Sequence, residues 1–379
     1  MAVSRRSFLS ALGAGSAALA IPTVSARGRE AATGWREWST PLRLLEGDIR
    51  LDSNENPYGP ASSALEAIRG MFSEAPRYPG LTNDRLISAI SSHISVPTDS
   101  ILLGSGSGEI LRMSVDAFTD RERGLVTAAP TFELPTDRAT VLGVPVTAVP
   151  VDDRLRLDLD SMASASTSAG LVFLCNPNNP TATVHGGLAI RKTIERILRM
   201  SSDTIILVDE AYHEYVDDPA YETMIPLALR EPRVVVARTF SKVYGLAGLR
   251  VGYAVGAPNT LERMAVNILP NNVNVLAGAA ASASLETKGH ARMQATRNQE
   301  ARRFTLEYFT SRGFTATPSQ TNFVMVDLRQ EMRPFREACR GQGVLVGRPF
   351  PPLLTHVRIS IGTADEMQRA VEVFGRVLS

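Results

Sequence analysis

The chain has 379 residues, 44% of them apolar and 21% charged, which excludes a disordered or fibrous protein and allows two packed units with sizeable cores. Its 40 basic and 39 acidic residues leave a net charge of +1, so the overall field points to no nucleic acid or other polyanionic partner. Function must reside in a local site. Only three of the basic residues are lysines (Lys192, Lys242 and Lys288), the remaining 37 being arginines.

At the N-terminus, S-R-R-S-F-L (Ser4–Leu9) leads into an uncharged run of small and apolar residues from Phe8 to Ile21, followed by V-S-A at Val24–Ala26. A charged start, a run of this length and small residues before a cut form a signal-peptide pattern. The run is too short and too rich in Gly, Ala and Ser to span a bilayer, which needs roughly 20 apolar residues. No stable membrane insertion is expected once it is removed. The adjacent arginines followed by Phe-Leu resemble a twin-arginine signal, which implies export of an already folded protein by the Tat machinery, to the periplasm. Without a working signal the protein would stay in the cytoplasm.

From Arg27 to about Leu45 the chain is polar and irregular and reads as a linker or arm. Short, continuous apolar runs follow: G-L-V-T-A-A (124–129), L-V-F-L-C (171–175), I-I-L-V (205–208), R-V-V-V-A (233–237) and L-R-V-G-Y-A-V (249–255). Runs without alternation fit strands buried on both faces. Helices are expected between them at Glu109–Phe118, Gly187–Met200 and Pro219–Leu229. Strands alternating with helices predict a mostly parallel sheet in an α/β architecture.

The last third changes character, with an Ala-rich helix expected over about Asn274–Leu285 and a charged one over Gly289–Arg312. N-F-V-M-V-D (322–327), V-L-V (344–346) and H-V-R-I-S-I-G (356–362) read as strands, with helices around Pro334–Arg340 and at the C-terminus. This predicts a smaller α+β domain. The expected division is a leader at 1–26, an arm with part of the small domain at 27–75, a large domain at 76–270 and the rest of the small domain at 271–379. Cys175 reads as core and Cys339 follows a helix; an oxidising compartment would allow one disulfide between them, but two cysteines so far apart make no disulfide framework. The five histidines lack metal-ligand spacing, so no metal site is expected.

Three polar stretches stand where strands end, the edge at which ligands collect in an open parallel sheet. N-P-N-N-P-T (Asn176–Thr181) follows the run at 171–175, D-E-A-Y (Asp209–Tyr212) follows 205–208, and T-F-S-K (Thr239–Lys242) follows 233–237. These types suit a pyridine aldehyde phosphate. A lysine amine bonds a carbonyl cofactor, a carboxylate facing the pyridine nitrogen keeps it protonated, and Asn and Tyr hydrogen-bond the ring hydroxyl. Arg250 would clamp the phosphate as a bidentate donor. L-G-S-G-S-G-E (103–109), before an expected helix, offers glycines and free N–H groups to the same phosphate. It does not meet the dinucleotide G-x-G-x-x-G pattern, because Leu111 stands at the third glycine.

N-P-N-N-P-T, V-D-E-A-Y and T-F-S-K-x-x-G-L-A-G-L-R-V-G-Y together resemble the fold-type I pyridoxal-phosphate aminotransferases, and within them the histidinol-phosphate aminotransferase group. L-D-S-N-E-N-P-Y-G-P (51–60), R-Y-P-G (77–80), P-T-F (130–132), N-N-V-N (271–274) and V-R-I-S-I-G-T (357–363) fit in the same order, so the resemblance covers about 45–379. It implies an α/β/α sandwich with a mostly parallel sheet plus a smaller α+β domain, a pyridoxal 5'-phosphate cofactor and a homodimer. It makes Lys242 the Schiff-base lysine and proton carrier, Asp209 the partner of the pyridine nitrogen, and Asn179 and Tyr212 the partners of the ring oxygen. Phe132 matches the aromatic stacked on the ring, while Ser107, Gly108, Thr239, Ser241 and Arg250 match the phosphate cradle. Tyr78 matches a tyrosine reaching the phosphate of the neighbouring subunit. Arg358 matches the arginine that holds the substrate α-carboxylate, with Asn179 beside it, and Tyr58 a residue at the substrate entrance.

The sequence departs from that pattern in three places. The usual N-P-T-G ends here in Ala182, and Gly108 stands where the phosphate loop often has an acid. Gly347 occupies the position after V-L-V where the family often places an arginine that reads the far end of the substrate, with Arg348 one residue later. The sequence therefore predicts an exported, dimeric aminotransferase acting on an amino acid and a 2-oxo acid, the phosphate-bearing substrate being the part in doubt. A lyase, decarboxylase or cyclase using the same electron sink is the alternative. A non-catalytic exported binding protein would need no such lysine.

Overall fold

A computed structural model of the chain describes residues 47–379. The leader expected at 1–26 and the arm expected from Arg27 to about Leu45 lie outside the described residues. The first strand, β1 (Ile49–Leu51), belongs to a small two-stranded sheet. Seven further strands make the main sheet: β2 (Ile101–Gly104), β3 (Leu125–Ala129), β4 (Val146–Pro150), β5 (Leu171–Cys175), β6 (Ile205–Asp209), β7 (Val234–Thr239) and β8 (Gly252–Gly256). Their spatial order is β2-β8-β7-β6-β5-β3-β4. From β4 to β7 every pair is parallel, whereas β8 lies antiparallel between β7 and β2.

β5, β6 and β7, and with them the antiparallel β8, are buried at every position, as central strands covered on both faces must be. The alternation shows the two faces. In β5, Val172 and Leu174 join one apolar cluster, while Leu171, Phe173 and Cys175 join another. The first cluster takes Leu86 and Ile90 from the helix Gly80–Ile94 and Ile190, Ile194 and Ile197 from Gly187–Met200. Ala277, Ala280 and Ala281 of Val275–Glu286 enter the same layer. The second takes Ile110, Leu111 and Met113 from Ser107–Phe118, with Leu261 and Met264 from Pro258–Ala265. This is the expected α/β/α sandwich.

The remaining strands, β9 (Thr315–Ala316), β10 (Phe323–Asp327), β11 (Val344–Val346) and β12 (His356–Ser360), build the α+β part. β10 is central to an antiparallel trio with β9 and β12, and β11 runs parallel to β1 with Ile49 opposite Val344. Phe309, Phe335 and Phe374, one from each of three helices, fill the core beneath. Cys175 and Cys339 are free, and each is buried in a different cluster.

Some expected bounds moved for local reasons. The helix expected at Pro219–Leu229 shrinks to Ile225–Ala228, because Asp218 caps a turn at Ala220 and the Glu210 carboxylate takes the Met224 N–H at 2.7 Å. The run 249–255 becomes a strand only from Gly252, since Arg250 adopts φ +58° and folds its guanidinium back onto the Ala247 carbonyl at 2.9 Å. β1, β2 and β4 are not among the strands expected from the sequence: β2 and β4 lie at sheet edges, and the continuous apolar runs in all three are of three residues or fewer.

Candidate active site

The loops after β5, β6 and β7 and the loop after β2 leave the main sheet at the same edge, because β2 and β7 both oppose β8. Hydrogen bonds hold these loops in place. After β5, the Asn176 side chain accepts from His185 N at 2.8 Å and donates to its carbonyl at 3.1 Å. Asn178 donates to the Pro130 carbonyl at 3.1 Å and accepts from Thr131 Oγ1 at 2.6 Å, which ties this loop to the one bearing Phe132. Ala182, where the family pattern has glycine, is fully buried at φ +64°, a conformation glycine adopts at least cost.

Asp209 ends β6 and is 3% exposed. Its Oδ1 accepts from Ala211 N at 3.1 Å, and its Oδ2 has no hydrogen-bond partner among the described residues. Burial pushes the Asp209 carboxyl up to about 7, against the opposing pull of the Ala211 N–H and of Lys242. Lys242 is partly buried beyond β7; its Nζ donates to the Asn54 carbonyl at 3.1 Å and lies 5.6 Å from the Tyr212 ring centroid. Burial, then Arg358, pulls its amine down to about 8, with Glu55 and Asp209 acting in the other direction. Tyr212 is buried, packs edge-on against Phe323 with ring centroids 5.3 Å apart, and accepts from Asn54 Nδ2 at 3.1 Å.

Arg358 reaches the same cleft from β12. Its Nη1 donates to Asn179 Oδ1 at 2.8 Å and its Nη2 to the Asp52 carbonyl at 2.6 Å, while its Nε is buried without a partner. Asn179 thus meets Arg358 with its oxygen and keeps its Nδ2 donor for a ligand.

The expected phosphate cradle also assembles. Thr239 Oγ1 and Ser241 Oγ stand 3.0 Å apart, and Arg250 Nη1 reaches Ser241 Oγ at 3.4 Å. Ser107 and Gly108 open the helix Ser107–Phe118 beside them. Gly106, at φ +73°, lets the chain pass Arg250, since a Cβ there would stand 2.1 Å from its Nη2. Glu109 braces the loop by accepting from Ser105 N and Asn272 Nδ2, each at 2.6 Å.

Two expected site residues stand outside this network. Tyr78 is 86% exposed just before Gly80–Ile94, and Tyr58, at the cleft's side, carries the Arg297 guanidinium 4.8 Å above its ring. Phe132 is partly exposed and is placed by the Thr131–Asn178 bond. His356 stands 3.1 Å from Thr355 Oγ1 and 4.0 Å from Asp327, as a structural histidine. Sequence reasoning gave no role to Asn54, although it quoted the motif, nor to the buried pair Glu210–Arg238. There Glu210 Oε2 accepts from Arg238 Nη2 at 2.8 Å and Nε at 3.1 Å.

The donor set fits pyridoxal phosphate: an unpartnered carboxylate oxygen on Asp209, an amine tuned toward neutrality, a glycine-lined helix start and a guanidinium beside two hydroxyls. Fold and site together define a pyridoxal-phosphate enzyme.

Residues 46–374 match the family of class I and II aminotransferases, and the chain belongs to that family. It is similar to histidinol-phosphate aminotransferase 1 of Nitrosococcus oceani, 35% identical over 339 residues that span 88% of this chain and 90% of that protein. The histidinol-phosphate aminotransferase of Bacillus subtilis strain 168 is 32% identical over 339 residues, 88% of this chain and 92% of that one. Among solved structures, histidinol-phosphate aminotransferase from Sinorhizobium meliloti in complex with pyridoxal-5'-phosphate superposes with a TM-score of 0.83 at 26% identity, covering 90% of this chain and 96% of that one. The activity is pyridoxal-phosphate-dependent transamination.

Cofactor capture needs Asp209 ionised, to face a protonated pyridine nitrogen, and Lys242 neutral, to attack a carbonyl. The ionised fraction of Asp209 rises as pH passes about 7, and the neutral fraction of Lys242 as it passes about 8. The rate of pyridoxal phosphate uptake by cofactor-free protein, followed by stopped-flow absorbance, is therefore expected to climb through both values. Asp209→Asn should remove the lower limb and weaken binding by about tenfold or more, the scale of a hydrogen bond to a charged group. A profile flat across this range contradicts the assignment.

Proposed function

We propose that the amino donor is an L-α-amino acid held by its carboxylate on Arg358, and the acceptor a 2-oxo acid bound the same way. The observation behind this is the state of Arg358 itself. It is 9% exposed, among the described residues it hydrogen-bonds only neutral oxygens of Asn179 and Asp52, and burial pulls its guanidinium down to about 10. A buried cation without an anionic partner is costly, and a planar carboxylate matches its geometry.

The far side of the cleft argues against a phosphate there. A Cβ at residue 347 would stand 2.7 Å from the Arg358 carbonyl, so a side chain at that position would collide with β12. Arg348 instead pairs with Glu133 and stacks on Phe350 at 4.1 Å. Its charge is answered within the chain. The names of the relatives favour a second reading, in which the phosphate of histidinol phosphate takes Arg358.

When bound, pyridoxal phosphate supplies the electron sink that lets a Cα–H bond of the amine ionise. Arg358 and Asn179 orient the substrate, Asp209 faces the ring nitrogen, and Lys242 Nζ moves the proton from Cα. A lysine brought down to about 8 keeps a minor neutral fraction near neutrality that can take a proton, which an arginine does not.

To test this, the enzyme is mixed with single L-amino acids and with histidinol phosphate, and absorbance and keto-acid release are followed. One or more amino acids should react, and Arg358→Lys should raise their KM by about tenfold to a hundredfold. Turnover of histidinol phosphate alone supports the second reading. Carbon dioxide or a cyclised product in place of a keto acid overturns both.

We further propose that the enzyme works as an exported homodimer. The twin-arginine-like leader supports export, and the exposed stretch containing Phe72, Tyr78 and Leu81 supports self-association. Arg5→Lys with Arg6→Lys should retain the protein inside the cell, where its mass by light scattering should be that of two chains. Normal export of that variant, or a monomer, removes the corresponding part.

A further inference from the structure

Asn54 joins parts of the cleft that are distant in sequence. Its N–H donates to Ser360 Oγ at 2.8 Å, and its carbonyl accepts from Lys242 Nζ at 3.1 Å and from Asn322 Nδ2 at 3.0 Å. Its side chain accepts from Ser360 Oγ at 2.9 Å and donates to the Tyr212 hydroxyl at 3.1 Å. The residue is 2% exposed and holds φ +54°. A buried non-glycine residue persists in that region when its surroundings over-determine it, and asparagine tolerates it better than most.

We propose that Asn54 is a positioning residue that sets the direction of the Tyr212 hydroxyl proton. A phenol has one proton to donate and lone pairs to accept with. Asn54 Nδ2 occupies the accepting side, so the Tyr212 O–H turns away from Asn54 and is presented as a donor to the ring oxygen of bound cofactor. The amide keeps this orientation because a flip would lose the bond from Ser360 Oγ to Oδ1. The Tyr212 ring is buried and packs edge-on against Phe323. The same residue offers its carbonyl to Lys242, so the amine and the phenol are registered on one peptide unit. The inference rests on the cofactor assignment and not on the identity of the amino donor.

The charged and titratable groups around Tyr212 are Arg358, Lys242, Cys175, Asp209 and Tyr215, and those around Lys242 are Arg358, Glu55, Asp209 and Arg250. All stay in place in Asn54→Gly, which also keeps the left-handed backbone and the carbonyl to Lys242 while removing the amide. A hydrogen bond donated to the ring oxygen favours its ionised form, so its loss raises the pH at which the bound cofactor's absorbance titrates. The expected shift in Asn54→Gly is upward by about one unit, a tenfold change in the equilibrium. The dissociation constant for pyridoxal phosphate should rise several-fold. Tyr212→Phe should shift the midpoint in the same direction, and adding Asn54→Gly to it should shift it no further. Asn54→Asp, which replaces the donor by an acceptor, should move the midpoint at least as far as Asn54→Gly. If Asn54→Gly does not fold, as judged by thermal melting of the cofactor-free protein, Ser360→Ala frees the amide and carries the same comparison. A wild-type midpoint in the single variant, or an equal shift with and without the Tyr212 hydroxyl, overturns the proposal.

Discussion

Two cations share one buried cleft, and the rest of the site is arranged around that fact. Lys242 and Arg358 come from different sheets; Arg358 lowers the amine's affinity for its proton, while burial and then Arg348 lower that of the guanidinium. The guanidinium keeps its charge under this pressure, whereas the amine is brought to about 8 and can lose it. Asp209 is the counterweight. Burial brings its carboxyl up to about 7, so the carboxylate that must be ionised and the amine that must be neutral are both poised near neutrality, while the guanidinium stays charged.

Holding such a site requires a stiff support, and the structure supplies one immediately behind it. Glu210 follows Asp209 on β6, and Arg238 precedes Thr239 on β7; their ion pair clamps the ends of the two strands that deliver the catalytic carboxylate and the cradle hydroxyls. Thr223 Oγ1 and Met224 N complete the shell of the Glu210 carboxylate at 2.7 Å each. Breaking a buried pair of this kind by removing one partner costs about 3–5 kcal/mol. An exposed helical pair such as Arg303–Glu307 contributes about 0–1 kcal/mol. The clamp therefore dominates, and it lies where a shift of the strand ends would misplace Asp209 and Lys242 together.

Much of this was legible in the sequence, for identifiable reasons. β5 to β8 are buried on both faces, so their apolar runs are continuous, and residues one step beyond them fall at the ligand edge. That reasoning reaches Asp209, Asn179 and Lys242. It fails for β1, β2 and β4, which are short or lie at sheet edges. It fails also for Asn54, whose partners Tyr212 and Ser360 lie 158 and 306 residues away. Gly347 shows the mixed case: the sequence marks the missing arginine, but only the approach of the Arg358 carbonyl gives the physical reason.

The scarcity of lysine makes the central assignment directly testable. Lys192 and Lys288 are exposed on the surface, while Lys242 lies in the cleft between Asn54 and Tyr212. The enzyme loaded with pyridoxal phosphate is reduced with borohydride, digested and mapped by mass spectrometry. The account predicts the cofactor's mass on the peptide containing Lys242, with the other two lysines unmodified. Stable label on Lys192 or Lys288, or a Lys242 peptide that remains unlabelled, would contradict it.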